Sequence, residues 1–300
     1  MAISRVVYTN SGVEIDPNGY SAVHSGNSMS IKTAQNATYT VNVPRENVNS
    51  VGFRGPVDRP QLDAADASLE FTLIPHDSTG SGGIEMHGDE VGELIVETRN
   101  QAPSGVTVTA NGIGQVEKAL LGSLTADASV GALATMTMSF TGAPSTSTGT
   151  ANATALASGL EVNLVEPKDL TAAALTSTST ATGGAGFAQP CAQSVAIAWD
   201  LPIVNVLCLG NDPTNAASYN PFGNPPGTSS ITVEGLSEAL DYTSNSVNNV
   251  NYVIEIGHFA YTLVNGKVDS QTNSVAVGEV FSTFNYVIGG TGDGFDVANS

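Results

Sequence analysis

The order of short motifs recurs once within these 300 residues, and that recurrence constrains the fold more than any other feature. Ser11-Gly12-Val13-Glu14-Ile15 returns as Ser158-Gly159-Leu160-Glu161-Val162. Pro44, Asn47, Val48 and Gly52 return as Pro202, Asn205, Val206 and Gly210, each 158 positions on. Ser68-Leu69-Glu70-Phe71 aligns with Ser230-Ile231-Thr232-Val233, and Ile95-Val96-Glu97 with Val253-Ile254-Glu255. The Asn111-Gly112 and Asn265-Gly266 pairs align, as do Val130-Gly131, Leu133 and Gly142 with Val277-Gly278, Val280 and Gly289. Six matches in one order, with offsets between 147 and 162, predict two tandem copies of one fold. The expected domains are 1–146 and 147–300, with a seam at 141–157 rich in Ser, Thr, Ala and Gly. That richness extends from Thr141 to Gly186, where flexible linker is expected around a real element at 160–167.

Each copy should be mainly β, with at most one or two short helices. Leu69, Phe71 and Leu73 alternate with polar neighbours, as do Met136, Met138 and Phe140. Val195, Ile197, Trp199 and Leu201 do the same, and so do Val280, Phe284, Tyr286 and Ile288 around Ser282. Period two is the pattern of a strand with one buried face. The two Asn-Gly pairs predict hairpin turns. Helices are expected only over Val116–Ala126, which would be an extra segment of the first copy, over Leu170–Leu175 behind Asp169, and over Ser237–Tyr242.

Charge limits what such a fold can bind. Nine Lys and Arg stand against 28 Asp and Glu, a net charge of −19. So few cations cannot line a groove that grips phosphates, whereas an acidic wall would keep nucleic acid from adhering. The same charge would also keep any protein soluble. The cations divide seven to two between the halves, so the copies are electrically unequal. No apolar run is long enough to span a bilayer. Residues 1–25 carry one basic residue, Arg5, and no signal-like apolar stretch, so synthesis in a reducing cytoplasm is expected. Cys191 and Cys208 are expected to be buried free thiols, although their pairing stays open.

Catalytic chemistry finds little support. His76-Asp77 and His87-Gly88-Asp89-Glu90 are the only crowded imidazole and carboxylate groups, and the Ser/Gly stretch between them predicts a solvated loop. Gly289–Ser300 holds two aspartates among glycines but lacks spaced calcium ligands, so a frayed tail is expected. No nucleophile elbow, zinc-protease motif or phosphate loop occurs. The expectation is a non-enzyme with no catalytic residue, no metal and no cofactor.

The order of elements resembles one family. VPRENVNSVG (43–52) and LPIVNVLCLG (201–210) each combine a proline-bearing strand, a turn and a glycine. An Arg/Gly/Pro loop at 54–60, the strand SLEFTLIP at 68–75, and a closing hairpin at 265–290 follow. This arrangement resembles the tail tube (major tail) proteins of long-tailed bacteriophages. The resemblance implies that each copy is a small β-barrel or sandwich with at most one or two short flanking helices, and that the chain is a virion structural protein whose folds form six-fold rings stacked into a hollow tube for DNA passage. With two folds per chain, three chains would close each pseudo-sixfold ring. The implied partners are further copies of the chain, neighbouring tail proteins and non-adhering DNA. The loops at 53–67 and 211–229 would contact the next ring or chain. Two alternatives stay open: another virion component, baseplate-proximal or capsid-decorating, and a tandem β-sandwich binding module.

Overall fold

The computed structural model describes residues 12–16, 29–31, 34–74, 106–110, 112–130, 132–145, 175–178, 192–206, 208, 222–223, 225–236, 250–256, 259–275, 283–290 and 295–299. These residues are mainly β, and every strand pairing is antiparallel. No helix occurs among them. Seven strands fall before the seam: β1 (Val13–Asp16), β2 (Met29–Ile31), β3 (Ala34–Asn42), β4 (Asp66–Leu73), β5 (Val106–Ala110), β6 (Gly114–Ser129) and β7 (Thr135–Pro144). Nine follow: β8 (Leu175–Thr178), β9 (Ala192–Asp200), β10 (Val204–Asn205), β11 (Phe222–Gly223), β12 (Thr228–Leu236), β13 (Val250–Ile256), β14 (Phe259–Ser274), β15 (Thr283–Gly289) and β16 (Phe295–Asn299).

The alternation in sequence becomes alternation in burial. Leu69, Phe71 and Leu73 of β4, Met136, Met138 and Phe140 of β7, and Val195, Ile197 and Trp199 of β9 are all buried. The residues between them are half-buried or exposed, because successive side chains leave a strand on opposite faces. The buried faces of both halves meet in one core. Phe71 and Phe140 stack with ring centroids 6.0 Å apart. The Tyr261 hydroxyl of β14 reaches Met136 Sδ of β7 at 3.1 Å, although those two strands do not pair. Contacts of this kind, made face to face between unpaired strands, are those of a β-sandwich. Burial raises the phenol pKa values of Tyr252 and Tyr261 above the ordinary range.

Apart from β2, which pairs β1, and β16, which pairs β14, the pairing order is the same on both sides of the seam. Before it the path runs β1–β5–β6–β7–β4–β3, and after it β8–β13–β14–β15–β12–β9. The registers agree as well. Thr40 faces Ser68, while Ala198 faces Ser230, offsets of 158 and 162. The offset within β4 and β12 is the one expected from their motifs. Irregularities coincide too. The bulge between Ala34 and Asn36 against β4 has its counterpart opposite Glu234 and Gly235, where Ser194 and Ala192 stand. The break between Val106 and Val108 matches that between Val250 and Tyr252. The break between Leu121 and Ser123 matches that between Val268 and Ser270. Lys118 and Asn265, 147 apart, both adopt positive φ, at 51° and 50°. A bulge inserts a residue and sharpens twist at one place.

Several expectations from sequence are corrected here. Val116–Ala126 is not a helix and not an extra segment: it lies within β6, whose counterpart is β14. Its Leu, Ala, Glu and Lys content favours a helix in isolation, but pairing on both edges decides the outcome. Asn265-Gly266 is not a turn. It lies inside β14, where Asn tolerates the left-handed conformation at a bulge. Gly112, with φ 69°, does sit in the turn joining β5 to β6. The counterpart of β1 is β8, 162 positions on, since Ile15 faces Val108 and Ser177 faces Tyr252. Gly142 corresponds to Gly290, not Gly289, because Thr141 faces Ser68 and Gly289 faces Ser230. The seam is not linker at its start: Thr141–Pro144 belong to β7, with Ala143 buried. Leu175, the end of one expected helix, opens β8. The carboxyl-terminal tail is not frayed, since Phe295–Asn299 pair with Leu263–Phe259.

Gly142 shows why glycine stands at that site. A Cβ there would lie 2.5 Å from the Glu117 carbonyl oxygen and 2.9 Å from both Ala119 Cα and the Lys118 carbonyl. Those are backbone atoms of the β6 bulge and cannot swing aside. Gly142→Ala should therefore cost about 1–3 kcal/mol, the usual range for forced overpacking. Thermal denaturation checks this, and an unchanged melting temperature would contradict it.

Candidate assembly surfaces

Two features of the surface stand apart from the core. The first is an arm. After β3 the chain leaves the sheet at Val43 and returns at Asp66. Between them Arg45 bridges Gln61 and Val48 bridges Asp58, so the excursion is a narrow two-stranded hairpin. It is held by Glu46 N–H donating to the Pro60 carbonyl at 3.1 Å and Val57 N–H donating to Val48 at 2.8 Å. Arg45 Nη1 donates to the Arg59 carbonyl at 3.1 Å. Gly52, with φ 93°, makes the reversal at the tip.

The arm is apolar where solvent should make it polar. Val51 is fully exposed, Phe53 is 70% exposed, and Val43, Val48, Val57 and Leu62 are exposed with them. Three arginines (45, 54 and 59) balance three carboxylates (46, 58 and 63) across residues 43–63, so the arm is neutral in a chain of net charge −19. Exposed apolar side chains gathered on one neutral excursion of an acidic protein make it a candidate interaction surface.

A corresponding excursion joins β9 to β12. Its base is the two-stranded sheet of β10 and β11, with Val204 opposite Gly223. The two bases meet in a small second core of Ala64, Leu120, Ala143 and Phe222, with Ile203 packed against it. Asn205 Nδ2 donates to Asp63 Oδ1 at 3.2 Å across this junction. Of the two loops expected to make contacts, residues 53–67 are described throughout, whereas 211–221 lie outside the described residues.

The second feature is the joint between the halves. β6 and β9 pair from Ser123 opposite Asp200 to Ser129 opposite Ser194. Leu124 and Trp199, Ala126 and Ile197, and Ala128 and Val195 meet there with every side chain buried. The first half therefore adds its β6 edge to the second half's β9 edge. The counterpart edges lie on β3, which ends its own path, and on the stretch of β14 from Val268 to Ser274, which pairs β15 among the described residues. Burial raises the Asp127 carboxyl pKa beside this joint.

All four histidines, with Asp77, Asp89 and Glu90, lie outside the described residues, as does Cys191. So do the motifs at 95–97, 158–167 and 237–242. Among the described residues no group of three or more His, Cys, Asp or Glu could hold a metal. Cys208 is a free thiol and is exposed, which corrects the expectation of burial. No helix of the described residues is long and apolar enough to cross a membrane. The exposed arm is partly legible in sequence as an Arg/Gly/Pro loop, but its apolar character leaves no pattern there. Val51, Phe53 and Val57 sit among glycines and prolines without any strand period.

No family model matches the chain, and no curated protein matches it. Among solved structures, it is similar to a chain from the virion of a native gene transfer agent particle. That chain is 10% identical, with a TM-score of 0.31, over 43% of this chain and 96% of its own length.

Proposed function

We propose that this protein is a virion structural subunit, the tail tube protein of a long-tailed phage, carrying two copies of one β fold per chain. Three chains form each pseudo-sixfold ring, and rings stack around a channel for DNA. The protein has no catalytic role, binds no cofactor and resides in the tail after synthesis in the host cytoplasm. The observation that carries this reading is the matched register of the two strand sets, joined edge to edge inside one chain. A chain built as two successive copies of a repeating unit suits a ring in which the same contact recurs between chains. The neutral apolar arm supports stacking, since it offers a contact that charge does not oppose. The acidity suits a channel that must let DNA slide.

Electron microscopy of the purified protein over a range of concentrations tests this. Hollow tubes of stacked rings are expected. Closed rings that never stack would replace the tube role by a baseplate-proximal or decorating one. Dispersed monomers at every concentration would overturn the assembly reading and favour a tandem binding module.

A further inference from the structure

We infer that successive chains are joined by β14 of one copy and β3 of the next, in the register that joins β6 to β9 within a chain. This inference deepens the ring reading and rests on it. Inside the chain, Ser123 faces Asp200, Leu124 faces Trp199, and the ladder continues to Ser129 and Ser194. The β6 residues map onto β14 147 positions on, as the shared bulges require, and β9 maps onto β3 158 positions back. The joint between chains therefore sets Ser270 opposite Asn42, Gln271 opposite Val41, Thr272 opposite Thr40, Asn273 opposite Tyr39 and Val275 opposite Ala37.

Both segments are fitted to receive a strand. Among the described residues β3 pairs with β4 alone. Among the described residues, β14 from Val268 onward pairs as a strand with β15 alone. An uncovered strand edge invites pairing, and proteins that stay single usually guard it with Lys, Pro or inward charges. Neither guard is present. β3 contains no charged residue, and β14 beyond Lys267 holds only Asp269. In a chain of net charge −19, two edges that hold a single carboxylate between them are places where copies meet with little repulsion.

Exposure points the same way. Trp199 is 2% exposed and Ala128 3%, while their counterparts Val41 and Val275 are 45% and 74% exposed. The two counterparts lie at opposite ends of the inferred ladder on its core-side face, where a docked strand would cover both. On the outer face Thr40 meets Thr272, a hydroxyl pair suited to cross-strand contact. Gln271 and Asn273 stand where the internal joint has Leu124 and Ala126. The contact between chains is thus more polar than the contact within one, which lets the subunit exist in water before it assembles.

The test is disulfide trapping in assembled protein with Cys191→Ser and Cys208→Ser as background. Directly opposed residues of an antiparallel pair lie about 4.5–5.5 Å apart at Cα, within disulfide reach, whereas diagonal neighbours lie about 7–8 Å apart. Thr40→Cys with Thr272→Cys should give covalent multimers on non-reducing gels, at least about tenfold more than Thr38→Cys with Thr272→Cys. Rings that form normally while the first pair fails to cross-link, or the second pair cross-links instead, would overturn this register and leave the ring reading intact. Parent protein that never assembles would overturn both. Val41→Lys gives an independent readout: it should abolish assembly while leaving the melting temperature unchanged. Undiminished assembly of that variant would overturn the inference.

Discussion

Trp199→Ala should destabilise the protein by about 3–5 kcal/mol, the range for removing a buried large aromatic from a well-packed core. Trp199 is 2% exposed and belongs to β9, which pairs with β12 on one edge and β6 on the other. It faces Leu124 across the joint and Ser229 across the neighbouring ladder. The substitution therefore opens a cavity where the two halves share their core. The joint is a continuous ladder, so relaxation of one strand into the void would disturb both neighbours. Chemical denaturation measures the loss. A change well under 1 kcal/mol would mean that the face is not packed. Separate transitions for the two halves in the variant would show that Trp199 couples them.

The arm carries the second large effect. Val51→Asp with Phe53→Asp should leave the fold intact, because both side chains are exposed. It should nevertheless stop ring stacking. Burying a phenylalanine side chain contributes about 1.5–3 kcal/mol. With one first-copy arm from each of three chains, a ring interface would lose about 5–9 kcal/mol, more than about a thousandfold in stacking constant. Sedimentation should show rings in place of tubes at concentrations where the parent forms tubes. Tubes of unchanged length would remove the arm from the axial contact.

The fold class was legible because burial on one face leaves a direct trace in sequence. The alternations at Leu69–Leu73, Met136–Phe140 and Val195–Trp199 are all strands with those residues inside. Residues 158 and 162 positions apart, Thr40 and Ala198, Ser68 and Ser230, hold like places in their ladders. What sequence hid were places where local preference and global pairing disagree. Val116–Ala126 has good helix formers, yet strands wait on both of its edges. Asn265-Gly266 has turn chemistry, but uses it for a positive-φ residue inside a strand. Phe295–Asn299 follows a glycine cluster that resembles a frayed end, and only the waiting edge of β14 makes it a strand. The assembly surfaces were hidden for a different reason. Val41 and Val275 look like ordinary strand residues, and their exposure becomes meaningful only beside their buried counterparts Trp199 and Ala128.

Native mass spectrometry of the smallest closed assembly tests the central claim most directly. Two fold copies per chain predict a ring of three chains, three times 30.5 kDa or about 91.5 kDa. A closed ring of six chains would mean that each chain supplies one ring position, contradicting the reading of two equivalent copies joined edge to edge.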